Sequence, residues 1–169
     1  MNEETEALLF LLQKRHTLIF FTISGMFIAE KRNTIDIVVG IKMNYKEAVS
    51  FHEETKQYGS ILGLSSVRAL MHELKDVWKS LNIVHIAGTN GKGSVSAFLS
   101  EILQQAGYRT GRYISPVIFE YREEIQVGKR PISQKELCRK MTVMRQICRE
   151  LVREGKPHPT AFEVKTAMA

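Results

Sequence analysis

The chain is 169 residues long, with 44% hydrophobic residues, two cysteines, and 24 Lys/Arg against 18 Asp/Glu for a net charge of +6. That length buries one core of ordinary size and is too short for a complete two-domain enzyme. Residues 1–42 hold five basic and five acidic side chains, so the whole positive excess lies in 43–169. Such a balance suits polyanionic small molecules or nucleic acid; aromatics are not interleaved with Lys/Arg as in base-stacking platforms, which argues against a nucleic-acid partner.

Before Met43 two apolar runs stand out, Leu8 to Leu12 and Thr17 to Ala29, separated by Gln13-Lys14-Arg15-His16. Neither reaches the ~20 apolar residues that a membrane-spanning helix needs, so no membrane partner is expected. The second run is not read as a signal-peptide core, because the start is acidic at Glu3, Glu4 and Glu6 and no small-x-small cleavage site follows. Residues 1–42 are therefore read as an unassigned N-terminal extension, outside the native protein, with Met43 as the expected true start.

From Met43 the local signals agree. Asn44-x-x-Glu47 predicts a capped helix through about Lys56. Ser65 or Ser66 is expected to cap a second helix, whose apolar stripe is Val67, Leu70, Met71, Leu74 and Val77. Tyr58 to Leu64, YGSILGL, is a glycine-punctuated loop between them.

Ile83 to Ser94 reads IVHIAGTNGKGS. Ile83, Val84 and Ile86 predict a buried strand, with His85 as a core histidine, and Ser94 to Gln105 carries Val95, Phe98, Leu99, Ile102 and Leu103 at helical spacing. Gly88, Gly91 and Gly93 fall in the turn between them. Glycines there let backbone N–H groups close around an anion, the helix start adds partial positive charge, and Lys92 adds a full one. The spacing departs from G-x-x-x-x-G-K-[ST]: Ile86 stands where the first glycine belongs, and Gly93 follows Lys92. A tight turn that binds nothing is the plain alternative.

Gly107 stops that helix and Arg109 to Ile114 predicts a second strand. A right-handed crossover makes the two strands parallel and brings Ser115-Pro116 beside the glycine loop; taken alone, Ser-Pro is a frequent turn starter. Phe119 to Val127 alternates at Ile125 and Val127, then turns at Gly128 and Pro131, which reads as an exposed hairpin. Ser133-x-x-Glu136 is a capping box opening a helix through about Arg153, closed by Gly155 and Pro157. Cys138 and Cys148 both lie on it, roughly 15 Å apart, too far for a disulfide, and read as reduced thiols of a cytosolic protein. The five histidines are scattered, and no Cys/His spacing suggests zinc. Thr160-x-x-Glu163 opens a last helix that reaches Ala169 without a C-terminal signal, as in a fragment.

A-G-T-N-G-K-G-S, the L-G-L loop followed by V-R-A-L, Ser115-Pro116 and the closing PTAFEVKTAMA resemble the folylpolyglutamate synthase/dihydrofolate synthase branch of the Mur ligase superfamily, over residues 43–169. The resemblance implies an α/β fold: the N-terminal part of a P-loop-type ATP-binding domain, with a mostly parallel sheet flanked by helices and the C-terminal domain absent. It implies a cytoplasmic enzyme of folate biosynthesis and one-carbon metabolism, dependent on ATP and Mg²⁺, that adds L-glutamate to folate or dihydropteroate through an acyl phosphate. On this chain Gly88, Thr89, Asn90, Gly91, Lys92, Gly93 and Ser94 would hold the nucleotide, with Lys92 catalytic, and Ser115 would help to hold Mg²⁺. Leu62, Gly63, Pro159, Thr160 and Ala161 would approach the substrate.

The chain departs from the family at Val117, where a His usually follows Ser-Pro, and at Glu124, which replaces the arginine of an Asn-Glu-Arg while Glu123 keeps the glutamate. Two local readings stay open beside the resemblance: Leu62 and Leu64 packing the helix pair, and Glu163 as a helix cap before a functional carboxylate. Two other classes also stay open. One is a different phosphate-loop enzyme, such as a small-molecule kinase or a peptidoglycan-type Mur ligase. The other is a non-catalytic piece that at most binds nucleotide, and for the chain as it stands an inactive fragment is expected.

Overall fold

Helix caps legible in the sequence set several element boundaries in the computed structural model, which describes residues 18–22, 42–60, 63–116 and 119–169. The strands are β1 (Leu18–Thr22), β2 (Asn82–Ile86), β3 (Thr110–Tyr113), β4 (Ile125–Val127) and β5 (Arg130–Pro131). The helices are α1 (Tyr45–Thr55), α2 (Ser65–Glu73), α3 (Lys92–Gln105), α4 (Gln134–Arg153) and α5 (Ala161–Met168). Asn44 and Glu47 form a reciprocal capping box on α1, and Thr160 and Glu163 form another on α5. Ser133 accepts from the Glu136 amide, but the Glu136 carboxylate turns to Arg139 instead of closing the box. Neither Ser65 nor Ser66 caps α2, because both already lie inside the helix and its N-cap is Leu64, which offers no side-chain bond. Val77 leaves the expected stripe, as α2 ends at Glu73 and Val77–Ser80 forms a 3₁₀ turn.

The sheet is mixed, in the order β2-β1-β3-β4-β5. β1 runs parallel to both β2 and β3, while β4 and β5 continue antiparallel. β2 and β3 are therefore not neighbours, as a plain βαβ reading expects. The strand from the segment before Met43 lies between them. β2 sits at the sheet edge, so Ile83, Val84 and Ile86 are only half-buried and His85 is exposed rather than in the core.

α3 packs on β1 and β3, whereas α1, α2, α4 and α5 pack on one another. The core runs through that helical layer, with Ala48, Leu70, Leu137, Met141 and Val164 fully covered. The Met43 amide donates to Thr142 Oγ1 at 3.0 Å inside it, which pins the start of α1 to the middle of α4. On α3 the face turned to the sheet is not the apolar stripe. Ser96 and Ser100 are buried, and Ser100 Oγ lies 3.1 Å from Thr110 Oγ1. Val95, Phe98 and Ile102 are exposed. Small hydroxyl side chains let the helix approach a strand that carries Gly111, and Leu99 and Leu103 flank the contact half-buried. Among the described residues no helix is long and apolar enough to cross a membrane.

Candidate functional site

The turn after β2 forms an open cradle. Gly91 has φ +77° and is the N-cap of α3, without a side-chain hydrogen bond; a Cβ there would be strained. The Val95 amide bonds to Gly91 O at 2.9 Å, so the amides of Lys92, Gly93 and Ser94 face the helix start without an intrahelical acceptor. A Cβ placed on Gly91 or Gly93 meets nothing within 4 Å, so the space over those amides is open. Lys92 folds back across the loop, its Nζ donating to Gly88 O at 2.7 Å and Thr89 O at 3.1 Å. An uncapped helix start with an ammonium group over it suits a polyphosphate.

Ser115 follows β3 on the same edge of the sheet. The ends of β2 and β3 are level to within one residue, since Thr22 pairs with Ile86 and Phe21 with Tyr113. The expectation that Ser115 lands directly beside the loop is corrected by the intervening β1. The strand ends are two inter-strand spacings apart, about 10 Å. Ser115 is half-buried.

Of the residues expected to approach a substrate, Leu62 lies outside the described residues. Gly63 is exposed with φ +111°, Pro159 and Thr160 are buried, and Ala161 is half-buried. The structure brings their segments together: α2 packs on α5, and Tyr58 stacks on His158 with ring centroids 4.0 Å apart. Leu64 is 59% exposed, so it does not pack the helix pair. Glu163 behaves as a cap, its Oε2 accepting from the Thr160 amide at 2.8 Å and from Thr160 Oγ1 at 2.9 Å.

Sequence reasoning missed a buried polar cluster. The stretch read as part of an exposed hairpin begins with a 3₁₀ turn, Tyr121–Glu124, that carries Glu124 inward to 4% exposure. There it pairs with Lys165 of α5, itself buried. The Lys165 ammonium also lies 4.5 Å from the Tyr121 ring centroid, and His52 meets that ring edge-on at 5.3 Å. Burial first, and then the charge of Lys165, lowers the His52 pKa from 6.5 to about 4. Burial also pushes the phenols of Tyr113 and Tyr121 upward, with the nearby Glu124 carboxylate adding to it. The one signal in the sequence was a lysine on the inward face of a short apolar helix.

No family model matches the chain. A curated relative, the dihydrofolate synthase/folylpolyglutamate synthase of Bacillus subtilis, is 37% identical over 125 residues, 74% of this chain and 29% of the relative. The solved folylpolyglutamate synthase of Thermotoga maritima superposes with a TM-score of 0.67 at 35% identity, over 74% of this chain and 29% of that one. About three quarters of this chain is homologous to the folylpolyglutamate/dihydrofolate synthases. A solved complex of folylpolyglutamate synthase with AMPPCP and folate superposes with a TM-score of 0.67 at 28% identity, covering 75% of this chain and 31% of that one. The chain spans about three tenths of the length of the synthases it matches. Among the described residues no group of three or more His, Cys, Asp or Glu is arranged to hold a metal ion.

Proposed function

We propose that residues 43–169 form the nucleotide-holding corner, of P-loop type, of a cytoplasmic ATP-dependent ligase that adds L-glutamate to folate or dihydropteroate. Residues 1–42 stand outside that ligase segment, although their strand β1 joins its sheet. A carboxylate does not acylate an amine until its oxygen becomes a good leaving group. ATP as substrate supplies the phosphoryl group that makes an acyl phosphate, and the amine of L-glutamate then displaces phosphate.

What this chain contributes is positioning and charge neutralisation, the two demands of phosphoryl transfer. The amides at the start of α3 would receive phosphate oxygens from Gly88 to Ser94. Lys92 would exchange two neutral carbonyl acceptors for charged ones, and a charge-assisted bond is the stronger of the two. Ser115 would offer one hydroxyl oxygen to Mg²⁺, which would neutralise charge on the phosphates. Leu62, Gly63 and Pro159 to Ala161 would line the side taken by the folate or dihydropteroate. No side-chain nucleophile is required.

The observation that carries this reading is Lys92 held over an uncapped, glycine-opened helix start. Titration of the chain with AMPPCP and Mg²⁺ tests it. Lys92→Ala should weaken binding at least tenfold, as expected for losing a hydrogen bond to a charged group of about 1.5–3 kcal/mol. Unchanged affinity would overturn the reading. In a synthase of full length the same substitution should abolish glutamate-dependent ADP release.

A further inference from the structure

Arg145, Arg149 and Arg153 recur every fourth residue, which places three guanidinium side chains on one stripe of α4. Like charges at that spacing destabilise a helix unless something neutralises them. Carboxylates stand close in sequence but are taken. Glu150 accepts from Gln146 Nε2 at 3.2 Å, and Glu154 pairs with Lys156 at 2.7 Å. Several other surface cations find partners, as in Lys56–Glu53, Lys79–Asp76 and Lys129–Glu101. Among the described residues the three arginines have none. All three line one cleft of about 350 Å³ between the end of α1 and the C-terminal half of α4, with the stacked rings of Tyr58 and His158 also in its lining. Glu54 adds a single carboxylate, leaving the lining net positive.

We propose that this cleft binds a linear oligocarboxylate, the glutamyl tail of a folate, through guanidinium–carboxylate pairs. Successive arginines rise about 6 Å along the helix. A γ-linked glutamyl chain carries one free carboxylate every five backbone bonds, also about 6 Å when extended. Planar guanidinium forks match carboxylates in two-point contacts, which lysines would not reproduce. The cleft also adjoins the residues assigned to the substrate, since Tyr58 leads into the loop of Gly63 and His158 precedes Pro159. The anion chemistry stands on the cleft alone; naming a folate's tail rests on the ligase reading above.

Calorimetric titration of the 169-residue chain with pteroylmonoglutamate, pteroyl-tri-γ-glutamate, free tri-γ-glutamate and inorganic tripolyphosphate tests the proposal. Two added glutamates should tighten pteroyl binding about tenfold, the effect of two partly exposed ion pairs. Arg149→Gln/Arg153→Gln should erase that gain and leave the monoglutamate affinity unchanged, with far-UV circular dichroism reporting an intact fold. Arg153→Gln alone, at an exposed position, should erase part of it. Equal affinity for mono- and triglutamate, a gain that survives the double substitution, or tripolyphosphate binding that the double substitution abolishes while no glutamyl compound binds would overturn it. Free tri-γ-glutamate binding lost in the double variant, with pteroylmonoglutamate not bound, would uphold the cleft and count against the ligase reading instead.

Discussion

Lys165→Met removes the cation from the buried cluster and leaves Glu124 behind. Both side chains are nearly inaccessible, at 8% and 4% exposure, so water cannot replace the lost counter-charge. Breaking a buried pair from one side costs about 3–5 kcal/mol, against a total stability of about 5–15 kcal/mol for an ordinary domain. Lys165→Met/Glu124→Leu removes both charges together and should recover most of that loss, because neither group then stays unpaired. Urea denaturation of the parent, both single variants and the double variant closes a cycle that isolates the coupling. His52 supplies an independent readout. The charge of Lys165 helps to hold its pKa near 4, so Lys165→Met should move the imidazole titration back toward 6.5 in NMR spectra. A loss under about 1 kcal/mol for Lys165→Met, with no coupling to Glu124, would refute the reasoning.

Four further outcomes are expected. The folded chain binds a proton at His52 less readily than the unfolded one, so His52's contribution is full above pH 6.5 and is lost as pH falls toward 4; after solvent screening it is worth about 2 kcal/mol, and urea midpoints measured across that window should flatten in His52→Gln. Burial pushes the Cys148 thiol up to about 12 and Cys138 is buried too, so iodoacetamide at mildly alkaline pH should label neither thiol in the native chain and both in urea. Thr160→Ala removes the hydroxyl that accepts from the Glu163 amide at 3.3 Å and should lower stability by about 1–2 kcal/mol in urea titrations. Phe98→Ser, at a side chain 70% exposed, should change stability by less than about 0.5 kcal/mol and reduce self-association in light scattering.

Caps and glycine stops were legible because they act within a few residues. Asn44 with Glu47, Thr160 with Glu163, and Gly107, whose amide bonds back to Gln104 O while that of Tyr108 bonds to Leu103 O, each form where the residue types predict. The glycine loop and its lysine were legible for the same reason. Burial was less so. The stripe Val95-Phe98-Ile102 has the period of an inward face, yet the serines beside it turn to the sheet, because a helix in hydrogen-bonding reach of β3 through Ser100 and Thr110 favours small side chains over bulky ones. Glu124 and Lys165 could not be paired by inspection, since forty residues separate them and only the packing of α5 against the Tyr121–Glu124 turn brings them into contact.

β2 touches the sheet on one side only, through β1. The strand that steadies the glycine loop is itself flanked on its far side by β3, which ends at Tyr113. A nascent chain cannot complete that row of backbone bonds until residue 113 has emerged from the ribosome, and contacts of such sequence separation form slowly. The loop at the end of β2 is therefore steadied only once backbone pairing across about sixty residues has formed, after the local turn that opens α3.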